Sequence, residues 1–181
     1  EFDLEGQAAG FEQVLNEIQE TGYQGSELGD WGFMPTVPAD LKQELDQILD
    51  YWANNTVDSA AGGFLGQIDA ATCPVPGAAK GVVLNARICW TFAAAYPLTQ
   101  SRLHYELAVR AYAHLLEKFY DPLYEGFYWT VDASGKMLDG KKQTYAQAFV
   151  LYAFSQWYTV CRDGSVLKKA QDVYRCIKSK T

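Results

Sequence analysis

The pattern of hydrophobic and polar positions along this chain predicts two kinds of helix, which alternate in sequence. Residues 41–55 (LKQELDQILDYWANN) and 104–120 (HYELAVRAYAHLLEKFY) repeat apolar side chains three and four positions apart, which predicts helices with one face in water. Residues 80–96 (KGVVLNARICWTFAAAY) and 142–158 (KQTYAQAFVLYAFSQWY) have no polar stripe, so we expect both helices to be covered on all sides. Half-polar outer helices therefore alternate with apolar inner helices.

This alternation belongs to an internal repeat. Residues 57–70 (VDSAAGGFLGQIDA) match residues 120–133 (YDPLYEGFYWTVDA) at a spacing of 63, and a third outer helix is predicted at 165–178. Stacked helical hairpins form either an open solenoid or a closed α/α toroid. Inner helices this apolar favour the toroid, because an open array leaves one face in water.

The loop of each repeat combines strand-like residues with turn residues. Residues 64–69 and 127–132 are rich in aromatic and β-branched side chains, which predicts short strands. Four aspartates recur at the same places in the two loops: Asp58, Asp69, Asp121 and Asp132. A catalytic carboxylate is needed once, whereas a turn is needed in every repeat, so we expect these aspartates to be structural.

Residues 1–40 do not follow the repeat and are expected to form a separate N-terminal extension. Their pattern predicts a helix at about 10–20, a short strand from Gly25 to Leu28, and a Gly/Pro-rich loop. Residues 10–38 resemble one unit of the xylose-isomerase-like TIM barrels that act on sugars. One such unit cannot form a barrel, so the prediction here is an α/β-like extension of uncertain origin.

Composition and charge restrict the class of partner. The net charge of -7 disfavours nucleic acid and anionic membranes, since both select basic surfaces. No apolar run is long enough to span a membrane, and residues 1–10 lack the pattern of a signal peptide. The four cysteines lack metal-ligand spacing, so we expect free thiols and a cytoplasmic protein.

One charge interrupts an inner helix. Arg87 is the only charged residue between Gly81 and Tyr96, and in a covered helix its guanidinium would be buried. A buried cation requires a partner, because an unpaired charge in a protein interior is costly. From the residues alone, that partner is equally well a ligand or one of the repeated aspartates.

Several ordered motifs point to one family. They are residues 62–64 (GGF) with Asp69, residues 80–90 (KGVVLNARICW), residues 127–132 (FYWTVD) and residues 143–153 (QTYAQAFVLYA). With these motifs at compatible spacing, residues 41–181 resemble the N-acylglucosamine 2-epimerase superfamily, and within it the cellobiose 2-epimerase branch. The resemblance implies an all-α chain that is part of a closed (α/α)6 toroid, about two and a half of its six hairpins.

The resemblance also implies a reaction. Family members invert C2 of a reducing-end sugar through a cis-enediolate without metal or cofactor, and the substrate class is β-1,4-linked disaccharides. By this match Arg87 would stabilise the enediolate oxygen and Tyr145 would donate its hydroxyl nearby. Asn85, Gln147 and Trp129 are the further candidates for substrate contact. Structural alternatives stay open: a core position for Tyr145, a loop brace for Asn85, and a bond to a neighbouring helix for Gln147.

The proton-transferring histidines of the family lie on later inner helices, so this chain is expected to lack them and to be incomplete. Its two histidines, His104 and His114, fall on a predicted outer helix, where we expect solvated or packed surface positions.

Three other functions remain open at this point. One is a mannose or N-acylglucosamine isomerase or epimerase of the same fold, and another is a non-catalytic, sugar-binding fragment. A glycosidase would need a carboxylate pair across the mouth, for which only the repeated aspartates are available. The expected partner is a small saccharide, and the open toroid edge predicts self-association.

Overall fold

The structure is a computed structural model that describes residues 39–180. Two compact units divide the chain, Glu1–Gln47 and Ile48–Thr181. Of the first unit, only residues 39–47 are described, and they form the first part of helix α1. The helix, strand and loop predicted within residues 1–38, and the resemblance to a sugar-isomerase unit, lie outside the described residues.

Five α-helices account for most of the described chain, as the hydrophobic pattern predicts. Their bounds are α1 Ala39–Asn55, α2 Val82–Thr99, α3 Arg102–His114, α4 Thr144–Cys161 and α5 Gly164–Lys180. A single π-helical turn, Leu115–Phe119, continues α3. The five helices predicted within residues 39–180 are confirmed. The fold is that of helical hairpins from an (α/α)6 toroid.

The inner helices α2 and α4 are equivalent in length and in the way they end. Each has 18 residues, and each is followed by a residue in the left-handed conformation, Gln100 with φ 53° and Arg162 with φ 54°. The N–H of that residue donates to the carbonyl of Tyr96 in α2 and of Tyr158 in α4. This left-handed ending lets the chain reverse directly into the next outer helix.

Outer helix α3 packs against both inner helices. Aromatic pairs mark the contact with α2 at Tyr96–Tyr105, whose ring centroids are 5.2 Å apart, and the contact with α4 at Tyr112–Phe154, 4.8 Å apart. The Sγ of the fully buried Cys89 on α2 lies 3.9 Å from the backbone carbonyl of Ala108. The core of this unit therefore lies between the inner and outer layers.

The prediction of surface positions for the two histidines of α3 is wrong. His104 is 6% exposed and His114 is 4% exposed, so both face the core. The Nδ1 of His104 lies 2.7 Å from Thr99 Oγ1, at the end of α2. An amphipathic outer helix has a buried face, and both histidines fall on it.

Full coverage of the inner helices is also wrong for the described chain. α2 and α4 bury the side that meets the outer helices, including Ala86, Phe92 and Phe154. Arg87, predicted to be buried, is exposed on the opposite side. The reason is that no element within residues 39–180 packs over that face of the helix.

A small antiparallel sheet joins the two repeats. Strand β1 (Lys80–Gly81) pairs with β2 (Thr130–Val131), and β2 pairs with β3 (Met137–Asp139). Of the two predicted strands, only Thr130–Val131 lies in this ladder, while Phe64 forms a single bridge with Val57. The first loop turns instead, because the Asp69 carboxylate accepts backbone N–H bonds from two residues that follow it.

Two further expectations concern membranes and thiols. All four cysteines are free, as predicted. No helix within residues 39–180 combines the length and apolar character that crossing a bilayer requires.

Candidate functional site

The exposed side of α2 and α4 carries the residues that best fit a binding site. We call it the open face and define it by Arg87 and Trp90 on α2 and by Tyr145 and Tyr152 on α4. The rings of Trp90 and Tyr152 stack with their centroids 5.0 Å apart and their planes 14° apart. Trp90 follows Arg87 by three positions, so both project from the same side of α2.

Arg87 is the one charged side chain on α2 and it reaches solvent. Within residues 39–180 its guanidinium makes no hydrogen bond and no ion pair. Asp58 and Asp121, the aspartates that could have neutralised it, are bonded to lysines instead. The alternative of an internal salt bridge to these aspartates is therefore excluded, and the five guanidinium donors face an open surface.

Tyr145 lies in the first turn of α4 and is 60% exposed, so it is not a core tyrosine. Its ring meets that of Phe149 edge-on, with centroids 4.9 Å apart. This contact orients the ring along the helix while the hydroxyl is left at the surface. Tyr145 and Tyr152, seven positions apart, share one side of α4, and the stack with Trp90 brings that side beside Arg87.

Asn85 and Gln147 do not join the open face. Asn85 is fully buried and its Nδ2 donates to the carbonyl of Gly81, one turn earlier in the chain. Gln147 is 2% exposed, and its amide bonds to both backbone groups of Phe127. Their polar atoms brace the loops and the helix starts, so the structure places them apart from Arg87 and Tyr145.

Trp129 lies at the beginning of α2. Its carbonyl accepts the N–H of Val82, the first residue of the helix, and its own N–H donates to Asp139. The side chain is half-buried. Trp129 therefore belongs to the loop layer at the N-terminal ends of the inner helices, the end at which Arg87 and Tyr145 also lie.

A lysine–aspartate pair fixes the loop of the first repeat. Lys80 is 1% exposed, and its Nζ lies 2.7 Å from Asp58 Oδ2 and 2.7 Å from the carbonyl of Gly62. Burial alone would raise the pKa of Asp58, but the N–H of Ala61 and the Lys80 ammonium lower it below the ordinary value. The Asp58 carboxyl is therefore ionised at neutral pH.

An equivalent pair fixes the loop of the second repeat. Lys142 Nζ lies 2.6 Å from Asp121 Oδ2, and the carboxylate also accepts the N–H groups of Leu123 and Tyr124. The hydrogen bond from Lys142 lowers the pKa of Asp121 to about 2. The structural interpretation of Asp58 and Asp121 is thereby confirmed.

Contacts from α3 reach back to the first loop. Arg110 Nε donates to the carbonyl of Gly63 at 2.8 Å, and its Nη2 donates to the carbonyl of Asp58. A cavity of about 340 Å³ lies between Ala61–Gly63 and α3 and includes His114 and Lys118 in its lining. Burial, together with the charges of nearby lysines, lowers the pKa of His114 to about 4.

Sequence analysis did not predict the ion pairs of Lys80 and Lys142 or the stacking of Trp90 on Tyr152, although these residues recur at the spacing of the repeat. Lys80 and Lys142 are 62 positions apart, and so are Trp90 and Tyr152. The same spacing relates α2 to α4, so aligning the inner helices would have identified both pairs as repeated features. Within residues 39–180, no three His, Cys, Asp or Glu side chains are arranged to hold a metal ion.

This chain is similar to known proteins over most of its length. The family described as N-acylglucosamine 2-epimerase (GlcNAc 2-epimerase) matches residues 63–181. A curated relative, cellobiose 2-epimerase from Bacteroides fragilis, is 40% identical over 144 residues, which is 77% of this chain and 37% of the relative.

Solved structures agree with this family. A sugar epimerase from a ruminal bacterium superposes with a TM-score of 0.76 at 32% identity, over 79% of this chain and 37% of the other. Cellobiose 2-epimerase from Bacillus thermoamylovorans superposes with a TM-score of 0.71 at 32% identity, over 77% of this chain and 37% of the other. The chain thus spans little more than a third of the length of these relatives.

Proposed function

Because the chain belongs to the N-acylglucosamine 2-epimerase family, we propose that the whole protein is a sugar 2-epimerase that acts at the reducing end of β-1,4-linked disaccharides. Similarity to two proteins named cellobiose 2-epimerase supports this substrate class. The residues described here contribute the oxyanion-binding half of the site.

The reaction balances without an external reductant or oxidant. The reducing-end ring opens to its aldehyde, a base removes the proton from C2, and the C–H electron pair moves toward O1 to give a cis-enediolate. An acid then returns a proton to the opposite face of C2, which converts a glucose unit into a mannose unit. Negative charge develops on the enediolate oxygens, and its stabilisation lowers the barrier.

The observation that carries the proposal is the state of Arg87. It is a permanent cation on an otherwise uncharged helix, exposed, and without a partner within residues 39–180. A guanidinium presents planar donors that suit two adjacent sugar oxygens. In the complete protein, exclusion of water from this face would strengthen that interaction.

Aromatic side chains supply the rest of the proposed contact surface. Tyr145 exposes its hydroxyl on the open face, where it would donate to the same oxygens as Arg87. The stacked rings of Trp90 and Tyr152 give an apolar surface one turn deeper along the inner helices. Pyranose rings carry apolar C–H faces, which pack well on such rings.

Proton transfer at C2 requires groups other than the described histidines. His104 and His114 are buried between the outer and inner layers, away from the open face. As the family resemblance implies, we assign the acid and base to histidines on later inner helices. Trp129 is proposed to contact the sugar at the N-terminal ends of the inner helices.

The test is an assay of the complete protein encoded by the gene, with cellobiose in D2O, following deuterium incorporation at C2 by NMR. Arg87→Ala should lower kcat/KM about 10²–10³-fold, the range found when one oxyanion donor is removed. Arg102→Ala is the matched control, since Arg102 lies on the outer helix and pairs with Glu106. Retention of most activity by Arg87→Ala would contradict the assigned role.

A substrate panel separates the proposed function from its nearest alternative. Cellobiose, lactose and mannobiose should be turned over, while free mannose and N-acetylglucosamine should react poorly. Preference for either monosaccharide would favour a mannose or N-acylglucosamine isomerase or epimerase of the same fold. No turnover of any sugar would favour a binding role.

Location and assembly remain predictions. Four free cysteines support a reducing, cytoplasmic environment. Exposed apolar residues on the inner helices, including Leu98 and Tyr152, support self-association of the isolated 181-residue chain through its open edge. Sedimentation at several concentrations would measure it, and a concentration-independent monomer would contradict it.

A further inference from the structure

In the second repeat, a single side chain satisfies both backbone hydrogen-bonding groups of a buried loop residue. Phe127 is fully buried, its N–H donates to Gln147 Oε1 at 2.9 Å, and its carbonyl accepts from Gln147 Nε2 at 2.8 Å. A Cβ added at the preceding Gly126 would lie 3.1 Å from Gln147 Oε1 and 3.3 Å from Cys176 Sγ. Gln147 and Cys176 therefore both touch this segment.

The first repeat has the same backbone but a shorter amide. Phe64 matches Phe127 and is also fully buried, and Asn85 matches Gln147 at the inner-helix spacing of 62. Asn85 is one methylene shorter and directs its Nδ2 to the carbonyl of Gly81. Within residues 39–180, neither Asn85 Oδ1 nor the backbone N–H and C=O of Phe64 has a hydrogen-bond partner.

A histidine lies where the second repeat has Cys176. His114 matches Cys176 at a spacing of 62, and a Cβ added at Gly63 would lie 2.6 Å from His114 Nε2. The ring therefore rests directly against Gly63, the residue before Phe64. His114 Nε2 is buried and has no partner among the described residues.

We propose that a buried water molecule bridges Phe64, Asn85 and His114 and takes the place that the Gln147 amide holds in the second repeat. Water has two donors and two acceptors, and the site offers two of each. The N–H of Phe64 and the Nε2–H of His114 donate to the water, and the water donates to Asn85 Oδ1 and to the carbonyl of Phe64. Buried waters typically occupy such sites, with two to four polar partners.

The arrangement requires a neutral His114 with its proton on Nε2. Burial, followed by the charges of Lys80 and Lys118, lowers the pKa of His114 to about 4, so the ring is neutral at pH 7. Nδ1 is then the acceptor nitrogen.

The water would join the first loop to the first turn of α2. Asn85 is two residues before Arg87, so the bridge fixes the loop against the helix turn from which Arg87 projects. This positioning role concerns Asn85 and His114. It does not depend on the proposed reaction, because it follows from the hydrogen-bond requirements of the buried groups.

A crystal structure of the protein at a resolution that shows ordered water is the direct test. We expect one water within about 3.2 Å of Phe64 N, Asn85 Oδ1 and His114 Nε2. Long-range ¹H–¹⁵N NMR should show His114 as the Nε2–H tautomer at pH 7. A direct Asn85–His114 hydrogen bond, a site without water, or the Nδ1–H tautomer would each overturn the proposal.

A pair of exchanges provides a second readout. Asn85→Gln should copy the second repeat, bond to Phe64 directly, expel the water and leave the melting temperature unchanged or higher. Its matched variant, Gln147→Asn, should lower the melting temperature by several degrees, because Phe127 loses both partners without a histidine nearby. Equal losses from both exchanges would overturn the proposal, as would a water that persists in Asn85→Gln.

Discussion

The two repeats hold their loops with the same ion pair but fill the space behind it differently. In the first repeat, Lys80 bonds to Asp58 and to a carbonyl of the loop, and Arg110 bonds to the loop from α3. In the second, Lys142 bonds to Asp121, and the Gln147 side-chain amide bonds to the backbone N–H and C=O of Phe127 in the loop. A lysine–aspartate ion pair is thus present in both repeats, whereas the contacts behind it differ between them.

The difference shows which interactions the backbone demands. Both loops contain an aspartate that accepts N–H groups two and three residues later. Each carboxylate is largely buried, so a cation is needed beside it. Behind the loop, one buried phenylalanine must have its backbone groups satisfied. A glutamine does this in one repeat, while the other has a shorter asparagine and a histidine.

The largest expected effect comes from removing the more buried cation. Lys80→Met should lower the free energy of unfolding by about 3–5 kcal/mol, because Asp58 keeps its charge and loses its partner. Lys142→Met should cost about 1–2 kcal/mol, since Lys142 is 13% exposed and has a single protein acceptor. Urea unfolding of the purified variants measures both values.

Lys141→Met is the control for this pair. Lys141 is exposed and its ion pair with Asp139 is 3.3 Å long, so the expected change is below about 1 kcal/mol. Equal decreases in the free energy of unfolding for Lys80→Met and Lys142→Met would show that the two ion pairs stabilise their loops to the same degree, which would contradict the difference proposed between the repeats.

The next effect is a pH dependence confined to the first repeat. The pKa of His114 is about 4 in the folded chain and ordinarily 6.5, so the unfolded chain takes up a proton first as the pH falls. The contribution of His114 to the free energy of unfolding is fully present above pH 6.5. As the pH falls from about 6.5 to 4, the free energy of unfolding decreases by roughly 3 kcal/mol. Urea unfolding at successive pH values from 7 to 4.5 would detect most of this loss.

His114→Gln should flatten the profile across this range. The hydrogen bond from Lys142 lowers the pKa of Asp121 to about 2, so its contribution is lost only as the pH falls from about 3.8 toward 2, below the histidine window. An unchanged slope in His114→Gln between pH 7 and 4.5 would contradict the assignment to His114.

The smallest effect distinguishes the two glycines that precede the buried phenylalanines. Both have left-handed backbone angles, φ 64° at Gly63 and φ 76° at Gly126, so alanine costs about 1–2 kcal/mol at either one. Gly63→Ala should cost more, because its Cβ would overlap the His114 ring, with Nε2 at 2.6 Å and the ring carbons Cγ and Cδ2 closer still. At Gly126 the nearest atom would be 3.1 Å away.

A double-mutant cycle isolates the steric part. Gly63→Ala combined with His114→Ala should recover part of the loss, while Gly126→Ala combined with Cys176→Ala should be nearly additive. Additivity in both cycles would show that the ring of His114 does not restrict this position.

The helices were predictable because their patterns are long and repeated. The apolar run from Val82 and the run from Thr144 each persist for five turns, and each helix predicted within residues 39–180 is present. The sheet was less predictable, since β1 pairs with β2 across two repeats and each strand has only two residues. A pairing between segments 50 residues apart leaves no local signal in so short a strand.

The candidate site divides in the same way. Arg87 and Tyr145 were identified from the sequence, and the structure brings them to one side of the inner helices. Asn85 and Gln147 were expected beside them, but the helix turns both into the core, where their amides bond to backbone. Amide side chains serve substrate and backbone equally well, so residue type alone did not separate these roles.

By itself, the sequence determined the order of helices, the repeat of about 62 residues and the position of the unusual arginine, because hydrophobic periodicity and a lone charge are properties of neighbouring residues. Tertiary structure alone decided which sides of α2 and α4 are buried, that Lys80 and Lys142 neutralise the repeated aspartates, and that His104 and His114 face the core. These outcomes depend on which residues distant in the chain come within hydrogen-bonding reach, and that is fixed only when the helices pack.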